Sequence, residues 1–81
     1  MTIPTIKLYG SPNCHKTRFY KDFLSKRALP FQFFDVIQNE KAAEELRSLY
    51  SNRKLNFPTI TVGHKKLRNP SINELEKWLK N

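Results

Sequence analysis

Apolar and polar positions change period several times along the chain, and each change marks an element. Thr5-Ile6-Lys7-Leu8-Tyr9 alternates polar and apolar, which predicts a strand ending near Tyr9, and Gly10-Ser11-Pro12-Asn13 then supplies dense turn chemistry. From Cys14 the pairs Phe19/Phe23, Tyr20/Leu24 and Leu24/Ala28 recur at helical spacing with Lys and Arg between them. They predict an amphipathic helix to about Arg27, with Asn13 as its N-cap. Pro30 stops any continuation. Phe31 to Val36 is aromatic and β-branched and predicts a second, well-buried strand.

Residues 39–50 predict a second helix with an apolar stripe of Ala42, Ala43, Leu46, Leu49 and Tyr50. Glu40, Glu44 and Glu45 lie toward its N-terminus, where the helix dipole favours acids. Asn56-Phe57-Pro58 leads into the alternating run Thr59-Ile60-Thr61-Val62. Gly63-His64 and Lys65-Lys66-Leu67-Arg68 follow, the pattern of a β-hairpin with a Gly-first turn. Asn69-Pro70 ends the ladder, and Ser71-Ile72-Asn73-Glu74 has capping-box spacing ahead of a last helix. Ile72, Leu75 and Trp78 are its expected core residues, and Phe19 and Tyr20 are expected to pack in the same way. The order is β-α-β-α-β-β-α, an α/β arrangement whose first β-α-β unit should be parallel and right-handed. No repeat or linker interrupts it, so residues 1–81 are read as one domain.

Composition narrows this picture. A domain of 81 residues buries only about 60% of its unfolded surface, so the core must be small. An apolar share of 38%, with six Phe, three Tyr and one Trp, is still enough to build one. No apolar run approaches the roughly 20 residues that span a bilayer, and Met1-Thr2-Ile3-Pro4 lacks a basic stretch followed by an apolar one. A soluble cytoplasmic protein is expected, with no membrane partner and as a monomer. A single Cys cannot form an internal disulfide, so the thiol is either packing or chemistry.

The net charge is +8, and it is unevenly spread. Four of the seven acids (Asp35, Glu40, Glu44, Glu45) fall in one stretch. Residues 15–27 and 53–68 are basic, and they would form one anion-attracting face if the fold brought them together. No helix-turn-helix, zinc-finger or aromatic RNA-binding signature accompanies the charge, so nucleic acid is not an expected partner. His15 adjoins Cys14 but points elsewhere on a helix, and His64 falls in a turn. Two His and one Cys at these spacings do not make a zinc site, and no metal is expected.

Cys14 carries the candidate chemistry. A thiol at a helix N-terminus faces unsatisfied backbone N–H groups and the positive end of the dipole, both of which favour thiolate. Lys16 and Arg18 add positive charge, and Thr17, three residues on, can donate its hydroxyl to the sulfur.

A strand ending in a turn, a Cys at the start of the next helix, a Pro before a later strand, and a closing hairpin and helix occur here together. Through Lys7-Leu8-Tyr9-Gly10-Ser11-Pro12-Asn13-Cys14-His15-Lys16-Thr17 and Phe57-Pro58-Thr59-Ile60-Thr61-Val62, the chain resembles the glutaredoxins over nearly its whole length. The resemblance implies a minimal thioredoxin fold, a four-stranded mixed sheet with three helices. It implies Cys14 as nucleophile with Thr17 in support, and a substrate site at Tyr9, Ser11, Asn13, Lys16, Phe57 and Pro58. Pro58 would be the family's cis-proline, leaving the Phe57 backbone to pair with a peptide-like thiol ligand.

The chain also departs from the family pattern. The usual second Cys is Thr17, which excludes a dithiol cycle within one chain and leaves a monothiol exchange with glutathione as co-substrate and glutathionylated or disulfide proteins as partners. The family's usual Lys is Ser11, with Lys16, Arg53 or Lys54 as the available substitutes, and Arg68-Asn69-Pro70-Ser71 replaces the usual paired glycines and acid. Cys-Gly-Phe-Ser of cluster-binding members reads Cys14-His15-Lys16-Thr17, so neither an iron–sulfur cluster nor another bound cofactor is expected. An arsenate-reductase-like branch shares the opening strand, turn, Cys and helix but commonly carries a helical insertion absent at this length. The alternative to an enzyme is a redox-inactive module that recognises an acidic protein or nucleic acid through the basic face.

Overall fold

Alternation in strand β1, Ile6–Gly10, sends Ile6 and Leu8 to one side of a sheet and Lys7 and Tyr9 to the other, and the rest of the molecule is arranged around that division. The structure is a computed structural model and describes residues 5–55 and 57–79. The N-terminal reading at residues 1–4, the lead-in at Asn56 and residues 80–81 lie outside the described residues. The elements follow the expected order: β1, α1 (His15–Lys26), β2 (Gln32–Asp35), α2 (Glu40–Ser48), β3 (Thr59–Val62), β4 (Lys65–Arg68) and α3 (Ile72–Leu79). The four strands form one mixed sheet in the order β2-β1-β3-β4, parallel between β1 and β2 and antiparallel elsewhere. This is the minimal thioredoxin fold. No described helix is long and apolar enough to cross a membrane.

The larger core joins Ile6, Leu8, Ile60, Val62 and Leu67 of the sheet to Tyr20 and Leu24 of α1 and Leu75 of α3. Leu8, Leu24, Ile60 and Leu75 are fully buried, each worth about 1.5–3 kcal/mol in transfer free energy. The smaller core, on the other face, joins Tyr9 and Val36 to Ala42, Ala43 and Leu46 of α2. The two alanines let this short helix lie close to the sheet. Asn39 caps it, its side-chain oxygen accepting from the N–H groups of Lys41 and Ala42 at 3.0 and 3.2 Å. In the hairpin, Val62 pairs with Lys65 around Gly63-His64, and Gly63 takes the φ of 61° that this tight turn requires. Ser71 Oγ accepts from the Glu74 N–H at 3.1 Å and opens α3.

Tertiary placement corrects several expectations. β2 is not well buried: Gln32 is exposed and Phe33, Phe34 and Asp35 are half-buried, because β2 is an edge strand with a neighbour on one side only. Ile72 and Phe19, expected in the core, are 40% and 47% exposed, since the first turn of α3 and the outer side of α1 project past the sheet. Cys14, not Asn13, is the N-cap of α1, with extended backbone at φ −89° and ψ 121°. The turn is closed before it by the Ser11 carbonyl accepting the Cys14 N–H at 3.0 Å, so the chain enters the helix one residue later.

Nor does the basic segment 53–68 present a single face. Successive strand residues point to opposite sides, so Lys65 lies over Trp78 on the α3 side while Lys66 lies over Tyr50 on the α2 side. Arg53 is paired with Glu44.

Candidate active site

The turn Gly10-Ser11-Pro12-Asn13 delivers Cys14 from the end of β1 to the first turn of α1, and its geometry rests on Ser11 and Thr17. Ser11 is nearly buried. Its hydroxyl accepts the Asn13 N–H at 3.2 Å and its carbonyl accepts the Cys14 N–H. Its own N–H donates to Thr17 Oγ1 at 3.3 Å, tying the turn back to the helix it precedes. Thr17 is fully buried and lies directly against Gly10, where a Cβ would overlap the threonine side chain. A glycine at the strand end is therefore what lets the helix start so close to the sheet.

Cys14 is a free, partly exposed thiol. Its pKa is held below the ordinary value chiefly by the nearby Thr17 backbone N–H in the first turn of the helix. The Thr17 hydroxyl, the Lys16 N–H and the Lys16 charge act in the same direction, and partial burial opposes them. The Thr17 hydroxyl accepts from the Ser11 N–H at one side and favours the Cys14 thiolate at the other. Such a thiol is poised to react as thiolate with a disulfide that reaches the exposed side of the turn.

The residues singled out from the sequence fall into three groups. Cys14, Thr17, Lys16, Ser11 and Asn13 come together in the turn and first helical turn. Lys16 and Asn13 are exposed there, whereas the Ser11 side chain is occupied in shaping the turn. Phe57 and Pro58 lie two and one residues before Thr59, which is the register partner of Tyr9, so they flank the Gly10 end of β1 from which the turn departs. The Phe57–Pro58 bond is cis; Pro58 is buried, and its carbonyl accepts the Asn69 N–H at 2.8 Å.

Tyr9 stands apart. It is only 2% exposed, its ring stacks on Phe34 with centroids 5.1 Å apart, and burial together with the neighbouring Glu45 carboxylate pushes its pKa up to about 12. Its ring belongs to the α2-side core, on β1 one residue before Gly10. Gly10 was missed by sequence reasoning, although a glycine closing an alternating strand just before a turn is the kind of signal that marks a close approach.

Comparisons with known proteins agree with this geometry. A family model described as Glutaredoxin matches residues 6–67, from the start of β1 into β4. The thioredoxin-like protein BC3987 superposes with a TM-score of 0.79 at 25% identity, covering 93% of this chain and 100% of that one. A point mutant of the same protein gives 0.77, also at 25% identity, over 93% and 94%. The glutaredoxin grx-1 from Archaeoglobus fulgidus gives 0.79 at 15% identity over 96% and 88%, a likeness of fold. No curated protein sequence matches the chain significantly. A glutaredoxin-like fold with a thiol at the head of α1 supports a function of the thiol–disulfide oxidoreductase type. The match covers most of the chain, including the turn, Cys14 and the cis-proline strand, and the chain belongs to the glutaredoxin family.

Proposed function

We propose that the protein catalyses thiol–disulfide exchange through Cys14 alone, in a monothiol cycle with glutathione as the co-substrate and no bound cofactor. The observation that carries this reading is the placement of Cys14 as the N-cap of α1, with the Thr17 N–H, the Thr17 hydroxyl and Lys16 all favouring its thiolate. In the first step the Cys14 thiolate attacks the glutathione sulfur of a glutathionylated substrate. A Cys14–glutathione disulfide forms, the original disulfide breaks, and the substrate leaves as thiolate and takes up a proton. In the second step a glutathione thiolate attacks the glutathionyl sulfur of that adduct, giving glutathione disulfide and restoring the Cys14 thiolate.

Thr17 holds the thiolate in both its attacking and its leaving role. Lys16 supplies charge for a glutathione carboxylate, Asn13 and the Phe57 backbone beside Pro58 receive the peptide-like part of the ligand, and Ser11 keeps the turn in shape. Tyr9 supports β1 from within the core.

The test is the alkylation rate of Cys14 from pH 4 to 9, with mass detection of a glutathione adduct after exposure to a glutathione mixed disulfide. An alkylation midpoint below the free value of about 8.5, with one adduct that reduced glutathione removes and Cys14→Ser cannot form, supports the cycle. A midpoint at or above that value with no adduct would leave a redox-inactive binding module.

A further inference from the structure

A second cluster of charged side chains lies at the opposite end of β1 from the thiol. Lys7, Thr61 and Lys66 are direct register partners across β1, β3 and β4, so they leave the α2 face of the sheet as one row about 10 Å long. The small core under α2 covers the next row, at Tyr9 and Thr59, and ends there. Over the Lys7 row an open cavity of about 420 Å³ remains, lined among others by Lys7, Tyr9, Glu45, Thr61, His64 and Lys66.

Both lysines of this row are engaged by neighbouring groups. Lys7 pairs with Glu45 at 3.6 Å with its side chain two-thirds covered. The Lys66 ammonium folds back to donate to the Leu49 carbonyl at 2.6 Å, over the ring of Tyr50. Among the described residues Glu45 is the only carboxylate lining the cavity, and it already faces Lys7 and the Tyr9 phenol. Among the same residues Lys66 is paired with no acid, which leaves its charge uncompensated beside the Thr61 hydroxyl and His64.

We propose that this shelf is a second binding site, separate from Cys14, for a small molecule bearing one anionic group and a hydroxyl or ammonium donor a few atoms away. The anionic group sits at the Lys66, Thr61 and His64 end, where an ammonium-bearing and a hydroxyl-bearing side chain, neighbours in register, line the same cavity. The donor faces Glu45, whose carboxylate would repel a second negative charge and accepts hydrogen bonds. The site goes beyond the exchange chemistry and does not depend on it: Lys7 stands three residues before Gly10, about 10 Å along the strand.

The test is an amide NMR titration at physiological salt with glycerol 3-phosphate, and with sulfate and glycerol as its separated halves. The expected result is a saturable shift confined to the amides around Thr61, Gly63, His64 and Lys66. Affinity should fall about tenfold or more in Lys66→Gln and be largely restored in Lys66→Arg. Because Lys66 also holds the end of α2, Glu45→Gln serves as an independent probe: it should weaken glycerol 3-phosphate while leaving sulfate as tight or tighter. Shifts that never saturate, that spread equally to Lys16, Arg18 and Lys21, or that ignore both variants would mean attraction by net charge alone and would overturn the proposal. Alkylation of Cys14 is expected to be unchanged in these variants, which keeps this outcome distinct from that of the exchange cycle.

Discussion

Replacing Thr17 with valine isolates what one buried hydroxyl does for fold and thiol together. The side chain keeps its shape, so contact with Gly10 is retained and no cavity opens. The Ser11 N–H, however, loses its acceptor at 3.3 Å in a buried position. Leaving a buried donor unsatisfied costs about 1–3 kcal/mol, and the length of this bond places the cost in the lower half of that range. For a domain of this size each kcal/mol corresponds to roughly 4–8 °C in Tm.

A second, pH-dependent loss is added to this. In the folded state the Cys14 pKa is depressed, so the thiol contributes stability that is fully present above its unfolded value of about 8.5 and is lost as pH falls through the folded value. Removing the Thr17 hydroxyl moves the folded pKa up toward the ordinary value, but not all the way, because the Thr17 N–H and Lys16 remain. Thr17→Val should therefore cost more at pH 9 than at pH 5, and its alkylation midpoint should rise. Denaturant unfolding at both pH values, with alkylation of the folded protein, measures the two effects. Equal destabilisation at pH 5 and pH 9 together with an unmoved midpoint would refute the link between the Thr17 hydroxyl and the thiolate.

Three further outcomes follow from the geometry. Gly10→Ala should destabilise the protein by about 1–3 kcal/mol and raise the Cys14 alkylation midpoint, because the new Cβ displaces the Thr17 side chain; thermal melts and alkylation report the two effects separately. Asn39→Ala should cost about 1 kcal/mol in thermal stability by leaving the Lys41 and Ala42 N–H groups uncapped, with no change at Cys14. Tyr9, with its pKa raised to about 12, should contribute stability below pH 10 that is lost as pH climbs toward 12, so an ultraviolet tyrosine titration should lose a late phenol near pH 12 in Tyr9→Phe, together with part of the alkaline loss of stability, while Tyr20, also raised by burial, still titrates late.

Much of this was legible in the chain because it depends on neighbours in sequence. Period-two runs became strands, three- and four-residue spacings became helices, Gly63-His64 made the hairpin turn, and Ser71 capped α3. The placement of Cys14 at the head of α1, three residues before Thr17, was legible too, since a helix N-terminus is local geometry. Even the error at Asn13 was a shift of one residue within a turn dense in capping side chains.

What the sequence by itself determined was the order of elements and the placing of a lone thiol at the head of α1, because backbone hydrogen bonding within a turn or helix depends on nearby residues. Tertiary structure alone decided strand order, and with it the half-exposed edge position of β2, the projection of Phe19 and Ile72 into solvent, and the burial of Tyr9 under α2. It also decided that Gly10 must touch Thr17, and that Lys7, Thr61 and Lys66, far apart in the chain, stand in one row. Burial and cross-strand register depend on which distant segments pack together, and no local pattern of residues records that choice.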